Sequence, residues 1–404
     1  MQDCRIVISC LIFVSKLNLK TPISISGIAS VSALGISSTA IWQRYVDGQA
    51  LFSKKKIDGS EILGAFVTSE VDEAIKQLQG SNISYKNLDR SVLLAILASK
   101  NAFDIQKFQQ KNIGINIGSS RGATALFEKY HTQFQKNGKV SPYASPTTTL
   151  GNISSWVGQE LGVDGVQIGH SVTCSTAMHA LLNGIAWLYA EMADVFIVGG
   201  SEAALTPFTV AQMEALKLYS KGTDHNVCES MRFNKKKNTM ILGEGAAVAV
   251  LERHPSNHSL ALVLGYGFAS EKLEHNSSIS ENATCFQDSM KMALDKAELE
   301  TVDVIIMHAP GTAKGDVAEK NAIDAVFDNE YPLLTSNKWI IGHTFGASGM
   351  MSLELGIFML QHNKFIANPF FNNDKEVSEE IKTVMINAVG FGGNAVSIIL
   401  GKAY

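Results

Sequence analysis

The amino-acid sequence predicts an α/β fold made of two related halves. Short apolar runs alternate with longer helical patterns through most of the chain. A strand, a buried helix and a second strand follow one another between residues 166 and 200, and a similar alternation restarts after the polar segment at residues 252–258. Strand–helix–strand units of this kind predict parallel strands joined by right-handed crossovers.

The composition indicates a folded globular protein. The chain has 404 residues, of which 46% are hydrophobic and 18% charged, which is enough apolar material for an extensive core. A disordered or fibrous chain is therefore excluded. The net charge is −4, from 34 basic and 38 acidic residues, which argues against a protein that coats nucleic acid. No apolar run reaches the roughly 18–20 residues of a membrane-spanning helix.

The cysteines and the N-terminus bear on where the protein works. Five widely spread cysteines form no Cys-x-x-Cys pair, so we expect neither a disulfide framework nor a cysteine zinc site, and we expect a reducing, cytoplasmic location. The apolar run at residues 6–14 has the length of a signal-peptide core, but lysines follow it and no small-residue cleavage site does. A signal peptide is the alternative to the N-terminal extension, residues 1–21, that we predict.

Local patterns predict the elements of the first half. Alternating Ile and Ser from Ile23 predict a strand that ends in a small-residue loop at Gly35. The stretch that opens at Cys174 is rich in Ala, Leu and Met and apolar almost all round, which predicts a buried helix. The remaining elements are a helix, three strands and a glycine-rich loop: Ser91–Ala102, then Ile113–Ile117, Val166–Val172 and Val195–Gly200, and Gly118–Gly122.

The second half repeats the alternation of strand and helix. The sequence predicts a strand at Leu260–Gly267, a helix at Ala283–Ala297 and a strand at Val302–Met307, with a surface loop at His275–Asn282. We therefore predict two α/β halves, at residues 22–255 and 256–404.

Cys174 is a candidate nucleophile. It lies where a strand meets a buried helix, so the positive end of the helix and its free N–H groups should face the sulfur and lower the pKa of the thiol. The alternative is a small buried hydrophobic residue, which is what most free cysteines are.

Three further passages lie where strands are expected to end, which is where catalytic groups of α/β sheets collect. His308 begins the segment HAPGTAKGD, and His343 lies in SNKWIIGHTFGASGM, read as a second strand-to-loop passage. NAVGFGGN, at residues 387–394, is a glycine-rich turn that could aim a backbone N–H at an oxyanion. Either histidine alone is more often a structural core or loop residue, and the alternative for the glycine-rich passage is a tight structural turn.

Together, and in this order, these passages resemble the elongating β-ketoacyl-acyl-carrier-protein synthases of the thiolase-like superfamily, from about Pro22 to Lys402. Cys174 and His179 keep the family's five-residue spacing, and the GFGG turn is intact. Two longer motifs of the family, HGTGTxxGDxxE and KxxxGHxxGAxG, match this sequence at His308, Gly311, Thr312, Gly315, Asp316 and Glu319, and at Lys338, Gly342, His343, Gly346, Ala347 and Gly349.

The resemblance implies a layered α/β/α/β/α fold and an acyltransferase that condenses malonyl carrier protein with an acyl group held on Cys174. In that scheme His308 and His343 stabilise an enolate, and Lys338 and Glu319 order the histidines and local water or form a structural ion pair. Backbone N–H groups of Cys174 and Phe391 form the oxyanion hole, with Phe391 as a gatekeeper.

The resemblance also implies the partners. Thr312, Gly392 and Gly393 would contact the pantetheine arm, and Lys217 would contact an acidic acyl carrier protein, with Lys235–Lys237 as a second candidate docking patch. Neither a metal nor a bound cofactor is implied, because the phosphopantetheine arrives on the carrier protein. The family forms dimers, so we expect a homodimer or a heterodimer with a related ketosynthase-like subunit.

Departures from the family pattern suggest a specialised branch. Ala309 and Pro310 replace a glycine and a threonine of HGTGT, the usual RPFD segment reads MRFN, and GFGGTN is one residue short. Aryl-polyene or flexirubin-type pathways are therefore considered beside fatty-acid biosynthesis.

Other functions share parts of this pattern, among them starter-type synthases and thiolases, which use CoA substrates. A non-catalytic chain-length-factor subunit would share the fold, but such subunits usually replace the cysteine that is present here. A thiolase would have a second cysteine near the C-terminus, whereas the last cysteine is Cys285. A cysteine hydrolase would not explain the second histidine and the GFGG turn.

Overall fold

The fold is taken from a computed structural model that describes residues 21–150, 152–222, 227–272, 279–328, 332–373 and 380–403. The apolar run at residues 6–14, two of the five cysteines (Cys4 and Cys10) and the first half of the predicted surface loop at His275–Asn282 lie outside the described residues.

The strands are short and mostly buried. Their bounds are β1 Ile23–Val31, β2 Ser53–Ile57, β3 Ser60–Gly64, β4 Ile113–Gly118, β5 Gln167–Ile168, β6 Val195–Glu202, β7 Gly245–Glu252, β8 Ala261–Ser270, β9 Val304–Ile306, β10 Leu333–Thr335, β11 Thr383–Gly390 and β12 Asn394–Lys402.

The helices alternate with these strands. Their bounds are α1 Ser38–Asp47, α2 Ser69–Ser81, α3 Arg90–Ala102, α4 Thr124–Asn137, α5 Ala144–Thr148, α6 Asn152–Leu161, α7 Thr176–Tyr189, α8 Pro207–Ala215, α9 Thr284–Ala297, α10 Ala313–Phe327, α11 Lys338–Ile341 and α12 Ser348–His362.

Ten of the strands form one sheet in which the same arrangement occurs twice. Its order is β10-β9-β11-β12-β8-β1-β7-β6-β4-β5. From either outer edge inward, each set of five strands follows the same order, numbered along the chain within the set: third, second, fourth, fifth, first. In both sets the first three of these are parallel and the last two run antiparallel to their neighbours. The sets meet where residues 23–25 of β1 pair with β8. The division at residue 255 stays a prediction.

Side chains of the strands alternate between two helical layers. In β6, Phe196 and Val198 belong to the same apolar cluster as α7 and α12, whereas Val195 and Ile197 belong to a second cluster with α3. In the other half, Ile306 belongs to the α7–α12 cluster, and the adjacent Ile305 lies with α9 and α10. Because neighbouring residues of a strand face opposite sides, each five-stranded half lies between two helical layers. The arrangement is therefore α/β/α/β/α.

Most predicted elements are confirmed, with three corrections. The predicted parallel strands are confirmed for β4–β6 and for β9–β11, but the sheet as a whole is mixed, because β7 runs antiparallel to β6 and β1 runs antiparallel to β7. The strand predicted at Val166–Val172 is only Gln167–Ile168, since the chain leaves the sheet where the His170 ring hydrogen-bonds Asn116 and the Thr176 carbonyl. The segment WII before His343 is helix α11, not strand.

Candidate active site

Cys174 lies in a short 3₁₀ turn, Thr173–Ser175, that leads directly into α7. Thr173 adopts a positive φ of 49°, a conformation that non-glycine residues rarely take, so the surrounding structure must hold the turn. The Cys174 side chain is buried and is not part of a disulfide.

The charge state of Cys174 differs from the prediction. Burial, together with the negative charge of Glu202, raises the pKa of the thiol to about 12, although Arg121 and Lys338 act in the opposite direction. The expectation that the helix end would lower this pKa is therefore wrong. Removing the thiol from water penalises its anion more than the helix N-terminus and the nearby cations stabilise it.

His343 lies next to a matching turn in the second half. It precedes a second 3₁₀ turn, Phe345–Ala347, which leads into the buried helix α12 and also begins with a positive φ, 41° at Phe345. The His343 backbone is anchored, since its N–H donates to the Ile241 carbonyl at 2.7 Å and its carbonyl accepts from Gly243 at 3.1 Å. Its ring nitrogen Nδ1 is buried without a hydrogen-bond partner among the described residues.

The two histidine rings pack edge to face. The ring centroids of His308 and His343 are 5.2 Å apart and the rings are nearly perpendicular, at 87°. Burial lowers the pKa of both rings, to about 3 for His343 and well below its ordinary value for His308, and the charge of Lys338 adds to the effect. Both rings are therefore neutral at physiological pH, so each has one N–H donor.

Glu319 positions His308 through the backbone. Its two carboxylate oxygens accept the N–H groups of His308, at 2.9 Å, and of Ala309, at 2.8 Å. Glu319 is fully buried at the first turns of α10, and burial raises its pKa to about 7. The carboxyl group thus fixes the turn after β9 that presents the imidazole.

Lys338 is a buried amine close to these groups. Its Nζ donates to Asn337 at 3.2 Å, and it forms no ion pair within the part of the chain that the structure describes. Burial lowers its pKa to about 8, against the opposing charge of Glu319. The predicted alternative, a contact ion pair with Glu319, is thus not formed in this structure, although the two charges act on each other.

Asp316 shapes the loop after His308. It accepts backbone N–H groups from Gly311 and Thr312, each at 3.0 Å, and pairs with Lys235 at 2.6 Å. The Lys235 side chain is buried in this ion pair, so it cannot belong to an exposed docking patch, and only Lys236 and Lys237 of that triplet are exposed. Lys235 instead stabilises the loop after His308 through its ion pair with Asp316.

A cavity of about 360 Å³ brings most predicted residues together. It is lined by the predicted nucleophile, both histidines, Glu319 and the predicted pantetheine contacts: Cys174, His308, His343, Glu319, Phe391, Thr312, Gly392 and Gly393. Lys236 and Lys314, both exposed, also line it. Lys338 and Lys217 do not line it, but Asn238, which does, donates to the Lys217 carbonyl at 2.9 Å. The exposed Lys217 thus lies beside the cavity.

Two of the predicted site residues, Thr312 and Phe391, also have structural roles. The Thr312 hydroxyl accepts the Gly315 N–H at 3.2 Å and caps α10, which leaves its own hydrogen free to donate to a ligand. The carbonyl of Phe391 accepts a hydrogen bond from Thr173 at 3.4 Å, so the GFGG turn rests on the turn of the nucleophile.

Sequence analysis missed three residues next to Cys174. Phe345 lines the cavity beside His343, Glu202 ends the buried strand β6, and Arg121 lies in the loop Gly118–Gly122. The signal for Glu202 and Arg121 was present, because a charged residue at or just after the end of an apolar strand needs a buried partner or a function.

The described residues offer neither a metal site nor a membrane-spanning helix. Among the described residues no three His, Cys, Asp or Glu side chains are grouped so that they could hold a metal ion. No helix within the described ranges is both long and apolar enough to cross a bilayer.

Comparison with known proteins places the chain in a family. The sequence profile of the beta-ketoacyl synthase N-terminal domain matches residues 20–257, and that of the C-terminal domain matches residues 260–371. The 3-oxoacyl-[acyl-carrier-protein] synthase 2 of Coxiella burnetii is 26% identical over 412 residues, which cover 95% of this chain and 99% of that protein.

Solved structures confirm the predicted thiolase-like fold. A ketosynthase in complex with its chain length factor, from Xenorhabdus doucetiae, is 24% identical with a TM-score of 0.80, and the match covers 95% of this chain and 98% of that chain. A beta-ketoacyl synthase from Burkholderia phymatum is 22% identical with a TM-score of 0.80, covering 95% of this chain and 100% of that chain. With both domain profiles matched over most of its length, the chain belongs to the beta-ketoacyl synthase family.

Proposed function

We propose that the chain is a β-ketoacyl-acyl-carrier-protein synthase that condenses malonyl carrier protein with an acyl group held on Cys174. The observation that carries this proposal is the single cavity lined by a buried thiol and two neutral imidazoles whose ring centroids are 5.2 Å apart. The curated relatives, named 3-oxoacyl-acyl-carrier-protein synthases, are acyltransferases of this kind.

The first stage is transfer of the acyl group. The Cys174 sulfur attacks the carbonyl of an acyl thioester, the new S–C bond forms and the bond to the pantetheine sulfur breaks. The thiol proton ends on the departing pantetheine sulfur. Because the pKa of the free thiol is raised to about 12, the thiolate is a minor species that must form during the attack.

The second stage is decarboxylation of the malonyl group. The bond to its carboxylate breaks, CO₂ leaves, and the electron pair passes to the thioester oxygen as an enolate. The N–H groups of His308 and His343 donate to this oxygen, a contribution of about 3–4 kcal/mol per donor. Since both rings are neutral, each has one N–H that can donate to this oxygen.

The third stage forms the carbon–carbon bond. The enolate carbon attacks the carbonyl of acyl-Cys174, and the backbone N–H groups of Cys174 and Phe391 stabilise the resulting oxyanion. Collapse expels the Cys174 sulfur, which regains a proton, and leaves a β-ketoacyl carrier protein. Lys338 and Glu319 act as positioning residues, Glu319 through the backbone of His308.

The partner in this scheme is an acyl carrier protein. Lys217, Lys236 and Lys314 are exposed beside or within the cavity lining, which suits an acidic carrier that delivers a pantetheine arm. A dimer, with a second copy or with a ketosynthase-like subunit, is part of the proposal. The replacements at Ala309 and Pro310 favour a specialised pathway of polyene type over housekeeping fatty-acid synthesis.

The alternative is a non-catalytic chain-length-factor subunit. It is disfavoured because Cys174, His308 and His343 line one cavity, and a subunit without chemistry has no need of all three. A catalytic subunit that works beside such a partner agrees with the site.

Intact-mass spectrometry tests the proposal. We expect the purified full-length protein to gain an acyl group from acyl carrier protein, and to release a β-ketoacyl product when malonyl carrier protein is added. Cys174→Ala should gain no acyl group. The single variants His308→Ala and His343→Ala should still acquire the acyl group. In each of them the rate of malonyl decarboxylation should fall by about two orders of magnitude or more.

The outcomes separate the two candidate functions. A folded wild-type protein that acquires no acyl group from a range of primers would point to the non-catalytic subunit. An acyl group that is acquired but not condensed would point to a missing partner subunit or an unsuitable chain.

A further inference from the structure

A second cavity, of about 380 Å³, also reaches Cys174. It shares Cys174, Phe345 and Phe391 with the histidine cavity, but neither histidine lines it. In the proposed function the malonyl group must occupy the histidine cavity while the acyl group is already attached to Cys174. The second cavity is therefore the space left for the acyl group.

Arg121 lines this second cavity. Its guanidinium lies over the Phe345 ring, 4.9 Å from the ring centroid, and its Nη1 donates to Gln212 Oε1 at 2.6 Å. Among the described residues Arg121 makes no ion pair, whereas a guanidinium has five N–H donors. Donors of Arg121 are thus available to a molecule in the cavity.

The backbone around Arg121 is held by a buried carboxylate. Glu202 accepts a hydrogen bond from the Ser119 hydroxyl at 2.7 Å and further hydrogen bonds from the backbone N–H groups of Ser120 and, at 3.3 Å, of Arg121. Glu202 is completely buried. The loop that carries Arg121 is therefore fixed before any substrate binds.

The other walls combine aromatic rings with one more polar group. Phe127 and Phe208 join Phe345 and Phe391 around the cavity. Glu128 also lines it and accepts the Thr206 hydroxyl at 2.5 Å. A plain alkyl chain would meet apolar rings here, but it would also remove water from a guanidinium and a carboxylate without replacing their hydrogen bonds, which is costly.

We propose that the second cavity selects acyl groups whose far end carries a hydrogen-bonding group, such as a hydroxyl, over plain alkyl chains, and that Arg121 is the residue that makes this selection. The inference rests on the proposed function. A hydroxyl can accept from Arg121 and donate to an acceptor such as Glu128, and polar recognition of this kind discriminates more strongly than an apolar pocket can.

The test compares primers of equal size. Full-length protein is mixed with carrier proteins charged with para-hydroxybenzoyl or para-methylbenzoyl groups, and with ω-hydroxyhexanoyl or heptanoyl groups, and acylation of Cys174 is timed by intact mass. We expect the hydroxyl member of at least one pair to react about tenfold faster or more. Arg121→Leu should abolish or reverse that preference.

Controls make the result specific to the cavity. Lys129→Leu removes an equal charge from an exposed position on α4 that does not line the cavity, and it should keep the wild-type preference. Circular dichroism spectra and melting curves of each variant identify any that fail to fold, and Arg121→Lys, which keeps a donor, should retain part of the preference.

The contrary results are distinct. Equal rates for both members of each pair, or a preference that Arg121→Leu leaves unchanged, would overturn the inference while leaving the synthase function intact. Equal slowing of every primer in Arg121→Leu would also overturn it, because Arg121 would then act on the thiol. If no primer acylates Cys174, the proposed function itself fails.

Discussion

At the scale of single residues, burial controls the charges around Cys174. The same loss of water raises the pKa of the thiol and of Glu202 and lowers the pKa of His343 and Lys338. Each group is thereby pushed towards its neutral form. At neutral pH the thiol and the imidazole of His343 are therefore uncharged, whereas Lys338, with a pKa of about 8, still carries its positive charge for the most part.

The raised thiol pKa predicts how Cys174 responds to pH. Because only the thiolate reacts with iodoacetamide, its alkylation should rise about tenfold per pH unit from pH 7 to 10, without a plateau. Peptide mass mapping after timed quenching measures this rate separately from the other cysteines. A plateau near pH 8 would mean that the helix end lowers the thiol pKa after all.

Glu202→Gln should increase this alkylation rate. Removing the negative charge of Glu202 lowers the pKa of Cys174, and the gain should grow above pH 7, since the pKa of Glu202 is about 7 and the charge is present only above it. Glu354→Gln is the matched control. That carboxyl group is also buried with a pKa raised to about 7, but it hydrogen-bonds Ser30 and does not affect the Cys174 pKa.

At the scale of elements, the GFGG turn and the turn of the nucleophile are packed without a gap. A Cβ atom on Gly390 would lie 2.0 Å from Thr173 Oγ1 and 2.6 Å from the Val172 carbonyl oxygen. Both distances are far shorter than real contacts, so one of the two turns must move if Gly390 gains a side chain.

Gly390→Ala should therefore slow acylation of Cys174. Overpacking of this kind costs about 1–3 kcal/mol, and displacement of the turn should reduce the rate at least about tenfold. The rate is measured by intact mass beside a melting curve. Gly80→Ala is the control, because a Cβ there has nothing within 4 Å, and acylation should stay normal. Normal acylation in a folded Gly390→Ala protein would show that the turns are not coupled.

The sequence predicted the positions of the reactive groups better than their environment. Cys174, His308 and His343 were found because each was read as following a strand, although of the three only His308 closely follows one in the structure. The sign of the thiol pKa was not found, because the burial and the nearby Glu202 charge that set it come from elements distant in sequence. The buried ion pair of Lys235 with Asp316 was missed for the same reason, since 81 residues separate the partners.

Element boundaries were predicted less well where tertiary contacts override local preference. The segment at residues 166–172 gives only a two-residue strand, because after Ile168 its polar groups bond outside the sheet: the His170 ring hydrogen-bonds the Thr176 carbonyl, and the Val172 N–H donates to the Thr176 hydroxyl. The segment WII has strand-like residues but forms α11, which is fully buried and begins at Lys338.

At the scale of the whole molecule, the two halves share one apolar core. The central cluster contains α7 from the first half and α12 from the second, together with strands of both. Either half alone would expose the face that these helices bury. The sheet contact between the halves is short, since it joins only residues 23–25 to β8.

We therefore expect neither half to fold by itself. Residues 22–255 and 256–404, produced separately, should show weak near-ultraviolet circular dichroism and no cooperative melting, whereas the full-length chain should melt in one transition. Mixing or co-producing the two pieces should restore part of the signal. A cooperative transition in an isolated half would show that the predicted halves are independent domains.

The matching turns before α7 and α12 have an evolutionary consequence. A tandem gene duplication leaves such a repeated strand order, and it places two copies of one ancestral unit in a single polypeptide, always in equal amounts. Each copy is then free to mutate on its own: the first has a cysteine in its turn, and the second has a histidine two residues before the matching turn. A symmetric pair of separate chains would have to carry the same residue at equivalent positions, whereas here Cys174 corresponds to Gly346 and His343 corresponds to Ser171. Fusion of the two copies thus lets a nearly symmetric scaffold evolve the unlike groups that an asymmetric reaction requires.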